Sequence, residues 1–405
     1  MKLRTGKPVW LDLGMEPLGE RSLHRNIVCD VAIIGAGITG ALVAHRLLNS
    51  GLEITVLDKR AAGFGSTAAS TGLLLYQPDT AIGELSRFHS RKIARRVYAL
   101  GQQAIREIGA LSRELGVECG WAPRRTLYAA TDAGGASFLR TEVKRTRNIG
   151  FPAELLSRQT IAERYGLDFN NALLSSGAAQ VDPFALTRGV LGACRRNPRF
   201  QLFQHTRVTS LREGPDQIEL KIVGGAHVRA RHVIVAAGYE ARQFHSSKLV
   251  RLHSTYVIAS KPFPPARLEP LRCLMWETAR PYFYLRTTPD HRIVFGGADE
   301  PFENPSRRDR KLPAKTRHLE KRFADLLPSL AFTADYTWAG TFAETTDGLP
   351  CIGAATPGSR VLYALGYGGN GITFSQIAAR ILRDACERVP NRDAKLFAFD
   401  RLSTQ

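Results

Sequence analysis

The feature that most constrains the fold is a glycine-rich turn set between an apolar run and a helical pattern. Gly35, Gly37 and Gly40 come directly after the short apolar run 30–34. Residues 38–50 then show the spacing of an amphipathic helix. A buried strand that passes through glycines into a helix is how a doubly wound α/β sheet begins.

Each glycine has a different physical role in such a unit. Gly35 permits the tight turn, Gly37 lets a pyrophosphate approach the backbone, and Gly40 lets the helix pack on the strand. The helix N-terminus offers free N–H groups and partial positive charge to phosphates. A second strand, 53–57, ends at Asp58, whose carboxylate can accept hydrogen bonds from ribose hydroxyls. The pattern predicts a bound dinucleotide and does not distinguish FAD from NAD.

The remaining segments predict two domains built from discontinuous pieces. Buried strands are expected at 231–237 and 361–365, and helices at 91–115 and 373–388. Strand formers are concentrated in 121–131 and 251–299. Nucleotide-fold segments therefore occur at both ends and in the middle, with strand-rich pieces between them.

The charge of the chain leaves several classes of partner open. The formal net charge is +19, with 44% hydrophobic and 23% charged residues. Such a charge suits nucleic acid, anionic lipid or an acidic substrate. The basic clusters at 91–96 and 307–311 have no interleaved aromatic residues, so scattered, solvated arginines are the favoured interpretation.

Membrane spans and metal clusters are not predicted. The most apolar run, 31–44, is interrupted by three glycines, and the basic N-terminus leads into no apolar signal core. A cytoplasmic location follows by default. The six cysteines are scattered without a Cys-x-x-Cys pair, so they are interpreted as reduced thiols and no metal site is expected.

Several segments resemble the superfamily of D-amino-acid oxidase, glycine oxidase and sarcosine oxidase. Residues 65–74, rich in Ser, Thr and Gly, resemble its flavin-contacting loop, and the strand ending at 236–238 resembles its middle FAD contact. Residues 338–340, 346–353 and 366–372 resemble its flavin-proximal end, and 8–12 are similar to leaders of the γ-glutamylputrescine oxidase-like branch.

The resemblance implies FAD as cofactor and oxidation of a C–N bond. It implies an α/β (α+β mixed) fold with a Rossmann-like FAD-binding domain and a discontinuous, sheet-rich substrate domain. The expected boundaries are a leader at 1–28, an FAD-binding domain at 29–85, 175–250 and 338–405, and a substrate domain at 86–174 and 251–337. The motif and the resemblance together predict these cofactor-binding residues: Gly35, Ala36, Gly37, Ile38, Thr39, Gly40, Asp58, Lys59, Arg60, Gly65, Ser66, Thr67, Ala69, Ser70, Thr71, Gly72, Leu73, Leu74, Val208, Ala236, Ala237, Gly238, Gly340, Gly366, Gly368, Gly369, Asn370, Gly371 and Ile372.

The substrate anchors of the superfamily's best-known members are replaced. Phe342 stands where glycine oxidases carry a carboxylate-binding arginine, and Thr373 where monomeric sarcosine oxidases carry a lysine. Strand alternation puts Tyr282, Tyr284 and Arg286 on one face, where the guanidinium can hold a carboxylate. We predict these three as catalytic-site residues.

Four further residues complete the predicted site. Asn370 is predicted to face flavin or substrate, and Tyr256 and Tyr76 are weaker cavity candidates. Gly340 stands where sarcosine oxidases attach their flavin to a cysteine, so FAD is expected to be noncovalent.

The predicted reaction is hydride transfer from the carbon bearing the nitrogen to flavin N5, followed by imine hydrolysis. The neutral amine is the reactive form, and alignment matters more than acid–base help. The electron acceptor is oxygen or another acceptor. Two alternatives remain: a flavoprotein that removes a carboxymethyl group from tRNA, and a membrane-associated dehydrogenase that passes electrons to quinone.

Overall fold

Two β-sheets organise the chain in this computed structural model, which describes residues 2–13, 18–19, 21–245, 249–302 and 304–402. No helix in these ranges is both long and apolar enough to cross a membrane. The strands are β1 (Arg4–Gly6), β2 (Ile27–Ile34), β3 (Ile54–Leu57), β4 (Leu73–Leu74), β5 (Ala122–Ala129), β6 (Glu154–Ser157), β7 (Asn171–Gln180), β8 (Phe200–Phe203), β9 (Val208–Glu213), β10 (Ile218–Ile222), β11 (His227–Val235), β12 (Val250–Ser260), β13 (Leu274–Glu277), β14 (Phe283–Thr287), β15 (Ile293–Pro301), β16 (Ala334–Thr345), β17 (Cys351–Ala354) and β18 (Val361–Leu365). The helices are α1 (Ile38–Leu48), α2 (Ser66–Ala69), α3 (Ile82–Phe88), α4 (Arg91–Glu114), α5 (Ala133–Asn148), α6 (Arg158–Tyr165), α7 (Pro183–Cys194), α8 (Pro265–Leu268), α9 (Pro305–Leu326) and α10 (Gly371–Cys386).

The smaller sheet has the doubly wound form that the glycine turn predicts. Its main path runs β17-β18-β11-β2-β3-β8, and β18, β11, β2, β3 and β8 are parallel. Ile33 on β2 pairs with Val56 of β3 on one side and Ile234 of β11 on the other. Helix α1 connects β2 to β3 and packs against α7 and α10. The apolar runs are therefore central strands buried on both faces, by helices on one side and by residues of β9 and β10 on the other, which is why they lack alternation.

The larger sheet builds the second half of the molecule. Its main path runs β1-β16-β12-β15-β14-β13-β5-β7-β4, and most neighbours are antiparallel. Helix α9 packs along β12, β15 and β16 and buries Leu319 and Phe323 against Phe295 of β15. The other face of this sheet contributes side chains to the site described below.

The mixed α/β class with a Rossmann-like half is confirmed, but the predicted domain boundaries cut through elements. Strand β7 crosses the predicted boundary at 174/175, and β16 crosses the one at 337/338. Helix α4, predicted for the substrate domain, packs against α10 and shares its hydrophobic core with α1. The ends of β7 and β16 are set by hydrogen bonds to strands far away in the chain. Composition and local periodicity do not report such bonds, so the boundaries predicted from them fall inside these strands.

The predicted leader, residues 1–28, contains regular secondary structure. Strand β1 pairs with β16, and Trp10 is buried beneath the sheet, where its Nε1–H donates to the Ser70 carbonyl at 2.8 Å. Residues 1, 14–17 and 20 of the leader lie outside the described residues. A single tryptophan in an irregular stretch gives no periodic signal, so its partner more than fifty residues away was not predictable.

Candidate active site

The turn between β2 and α1 requires glycine at its first and third motif positions. Gly35 has φ +118°, and a Cβ there would lie 2.4 Å from the Ala236 carbonyl oxygen. A Cβ on Gly40 would lie 1.9 Å from the Gly35 carbonyl oxygen, so only glycine lets α1 pack this closely. Gly37 is different, because its backbone is extended and its missing side chain leaves open the cavity that it lines.

Asp58 braces the same turn from the end of β3. Its Oδ2 accepts a hydrogen bond from the Ala36 N–H at 2.7 Å, and its Oδ1 accepts one from the Arg60 N–H at 2.8 Å. Burial raises the pKa of Asp58. The carboxylate also lines the cavity, so it can hold the turn and still face a ribose.

The N-terminus of α1 is partly capped by the predicted flavin loop. The Ile38 N–H donates to Thr67 Oγ1 at 3.0 Å, which joins α1 to α2. Thr39 Oγ1 lies 2.8 Å from Ser375 Oγ of α10, near the second glycine turn. Both glycine-rich segments therefore converge on one helix end, where the helix dipole favours a phosphate.

One cavity of about 740 Å³ joins these segments to the larger sheet. Most predicted cofactor and site residues line it. Those that do are Gly35, Gly37, Ile38, Thr39, Asp58, Lys59, Arg60, Gly65, Ser66, Thr67, Ala69, Ser70, Thr71, Leu73, Val208, Ala236, Ala237, Gly238, Tyr282, Tyr284, Gly340, Gly366, Gly368, Gly369, Asn370, Gly371 and Ile372.

A few predicted cofactor residues lie behind the cavity wall instead. Ala36 uses its N–H on Asp58, and Gly40 packs against the turn. Gly72 has φ +69° and its missing side chain makes room for the Val181 carbonyl. Leu74 is fully buried in the hydrophobic core. These four support the cavity wall rather than line it.

The prediction that Arg286 anchors a substrate carboxylate is wrong. The side chain is fully buried, does not line the cavity, and donates from Nη1 to the carbonyls of Gly72 and Val181, each at 2.8 Å. Its guanidinium lies 5.0 Å from the Trp10 ring, and burial lowers its pKa to about 9. Alternation did put it on the face of Tyr284, but the 65–74 loop and the leader cover that position.

The weaker aromatic candidates also fail as cavity residues. Tyr76 packs against Tyr98 and Phe151 at ring distances of 5.6 and 5.7 Å and does not line the cavity. Tyr256 lies instead beside a separate depression near the start of α9. Thr373 is buried outside the cavity, whereas Phe342 lines it.

The second glycine turn is held to the 77–79 segment by one main-chain carbonyl, one side-chain carboxylate and the turn's own Asn370. Asn370 Nδ2 donates to the Gln77 carbonyl at 2.5 Å, and the Gly369 N–H donates to Asp79 Oδ2 at 2.7 Å. The Asp79 carboxylate thus accepts the hydrogen bond that one main-chain N–H of the turn can donate. Asn370 lines the cavity, but its amide is already used to fix the neighbouring loop.

Several cavity residues were not predicted from the sequence. They come from turns and from strands of the larger sheet, and they are Asp79, Tyr128, Trp276, Arg280 and Asp299. Tyr128 and Trp276 stack with centroids 5.0 Å apart, and the Arg280 guanidinium lies 4.9 Å from the Tyr282 ring. Of these five residues, only Arg280 could have been found from the sequence, because it lies just before the predicted site residues Tyr282 and Tyr284.

The residues present fit an FAD molecule. The Gly37 opening, the α1 N-terminus and Asp58 suit the adenosine diphosphate half, and the turn at 366–372 lines the opposite part of the same cavity. The sequence profile of the DAO family, described as "FAD dependent oxidoreductase", matches residues 30–385.

Comparisons with individual proteins agree with this family match. The chain is 25% identical over 374 residues to gamma-glutamylputrescine oxidoreductase of Escherichia coli K12, covering 90% of this chain and 84% of that protein. The crystal structure of glycine oxidase from Geobacillus kaustophilus superposes with a TM-score of 0.78 at 22% identity, covering 92% and 98% of the two chains. L-proline dehydrogenase from P. horikoshii gives a TM-score of 0.76 at 19% identity, covering 96% and 99%.

Proposed function

Because the chain belongs to the DAO family of FAD-dependent oxidoreductases, we propose that it oxidises a C–N bond of a small amine or amino acid. The observation that carries the proposal is one continuous cavity, which joins the dinucleotide turn to a compartment of aromatic and charged side chains. The names of relatives support it, since one is a gamma-glutamylputrescine oxidoreductase and others are glycine oxidases.

Different residues along this cavity would bind different parts of FAD and the substrate. Gly37 and the start of α1 would receive the pyrophosphate, and Asp58 the ribose hydroxyls. Thr71, Gly340 and the 366–372 turn would hold the flavin end. FAD, when bound, supplies the hydride acceptor at N5. Tyr282, Tyr284, Trp276 and Tyr128 would align the substrate and reduce its access to water, and the imine product would be hydrolysed afterwards.

We expect FAD to be released intact by acid or heat denaturation. No cysteine lines the cavity among the described residues, and Cys351 is buried in β17 beside Arg401. After acid precipitation, the yellow colour should appear in the supernatant. Colour that stays in the pellet would show a covalent link instead.

The carboxylate anchor that we propose is Arg280 instead of Arg286. Its exposed guanidinium lines the cavity next to Tyr282, where bidentate contact with a carboxylate is geometrically open. We expect Arg280→Gln to raise KM about tenfold for amino-acid substrates while changing KM little for amines without a carboxylate. An equal rise for both substrate types would contradict an anchoring role.

The substrate class is tested by a panel of amines, N-methyl amino acids and D-amino acids, added anaerobically to the FAD-loaded protein. Bleaching of the flavin by one class would identify the substrate family. The RNA alternative is disfavoured by acidic side chains within the cavity, which would repel a polyanion.

A further inference from the structure

Beyond the second glycine turn, the cavity has an acidic end, although the chain as a whole carries +19. The carboxylates that line this end are Asp79, Glu84, Asp132, Glu142 and Asp299. Asp132 caps α5 by accepting from the Gly135 N–H at 2.7 Å. Glu142 accepts from the Ile82 N–H at 2.6 Å and lies 3.6 Å from Arg145 Nη1, so its charge is compensated.

Asp299 has one carboxylate oxygen without a hydrogen bond, as Glu142 does at Oε2, and the nearby Thr255 side chain lowers the pKa of Asp299. It follows the irregular Gly297–Ala298 segment of β15, and its Oδ1 is buried and accepts no hydrogen bond from the described residues. Burial, and secondarily the negative charge of Asp79, raise its pKa to about 6. A buried acceptor without a donor is costly, so this atom indicates a donor supplied by a ligand.

Asp79 is fixed on the other side of the same space. The hydrogen bond from the Gly369 N–H holds it against the turn that lines the proposed flavin end of the cavity, and burial raises its pKa. The charges of both Asp79 and Asp299 act on Tyr282, and the Arg280 guanidinium lies 4.9 Å from the Tyr282 ring. Arg280 acts on both carboxylates, and Lys315, which pairs with Glu300 at 2.9 Å, acts on Asp299 as well. Neither Asp79 nor Asp299 forms a salt bridge of its own within 4.0 Å among the described residues.

Aromatic rings complete the surroundings. Tyr282 and Tyr284 have ring centroids 6.0 Å apart, and Trp276 stacks on Tyr128 nearby. Aromatic faces attract ammonium groups but offer no ligand to a metal ion. Carboxylates beside aromatic faces are therefore suited to an organic cation.

We propose that Asp79 and Asp299 bind the ammonium group of the substrate, so that the enzyme selects cationic amines. The inference rests on the proposed function and specifies its substrate class. An Asp299 carboxylate that binds the ammonium can then accept one proton from it. An N–H bond breaks, an O–H bond forms on the carboxyl group, and the neutral amine that can lose hydride remains.

The test compares two probes of equal size and different charge, benzylammonium and benzyl alcohol. Their dissociation constants are measured by calorimetry on the FAD-loaded protein, for the wild type, Asp299→Asn and Asp79→Asn. Asparagine keeps the shape, and at position 79 it can still accept from Gly369. Asp325→Asn, on the exposed face of α9, is the matched control, and bound flavin per chain checks that each variant is folded.

We expect the wild type and Asp325→Asn to prefer the cation, and Asp299→Asn to lose about tenfold or more of that preference. Asp79→Asn should lose preference in the same direction. A wild type without preference for the cation, or asparagine variants with unchanged preference, would overturn the inference even if amines bleach the flavin. Preference that is lost in the variants while no amine bleaches the flavin would support the ammonium site and count against the proposed function.

Discussion

Replacing Gly37 with valine is expected to abolish tight FAD binding while leaving the fold intact. The Gly37 backbone has φ −80° and ψ −172°, an extended conformation that valine adopts readily. A Cβ there would approach Thr67 Oγ1 at 3.0 Å and otherwise point into the cavity. Because the pyrophosphate needs that space, we expect FAD affinity to fall about a hundredfold or more, equivalent to ~2.8 kcal/mol.

The measurement is a fluorescence titration of the FAD-free protein with FAD. Gly192→Ala in α7 is the control, since its Cβ would meet only Leu18 Cδ2 at an ordinary 3.6 Å and lies outside the cavity. This variant should bind FAD as the wild type does. Wild-type affinity in Gly37→Val would mean that the pyrophosphate does not lie at this turn.

Replacing Arg286 with alanine is expected to destabilise the fold and not to alter substrate affinity directly. The substitution removes Nη1, which donates to the carbonyls of both Gly72 and Val181, and leaves a void beneath Trp10. The Val181 carbonyl loses this partner, whereas the Gly72 carbonyl still accepts from the Val181 N–H at 3.0 Å. We expect the free energy of unfolding to fall by about 3 kcal/mol.

Denaturant unfolding of the FAD-free protein measures this loss. The control is Arg251→Ala, which removes an exposed arginine from β12 and should change stability by no more than about 0.5 kcal/mol. In the fraction of Arg286→Ala that retains FAD, KM should stay near the wild-type value. Unchanged stability together with a raised KM for carboxylate-bearing substrates would restore Arg286 as the anchor.

The parts of the molecule that could be predicted from sequence are those fixed by neighbouring residues. Gly35 takes a positive φ and Gly40 packs against the Gly35 carbonyl oxygen, both within one β-turn-α unit, so their spacing identifies the turn. The β2, α1 and β3 segments follow from local apolar periodicity for the same reason.

The substrate end depends on contacts between residues far apart in the chain, which no local pattern reports. Arg286 lies on the face of β14 that was expected to carry a substrate anchor, yet Gly72 and Trp10 cover its guanidinium. Asp79 and Asp299 lie far apart in the sequence and come close only because a turn and the larger sheet meet at the cavity. Strand alternation gives a side chain's face but not what covers that face.

The proposed activity is the oxidation of a C–N bond by the bound FAD. The most direct test is an anaerobic absorbance titration of the purified, FAD-loaded protein with the amine panel. If the chain has this activity, at least one amine or amino acid will bleach the visible flavin band, with formation of the corresponding imine or carbonyl product. A protein that binds no FAD, or a flavin spectrum that no member of the panel bleaches, would contradict it.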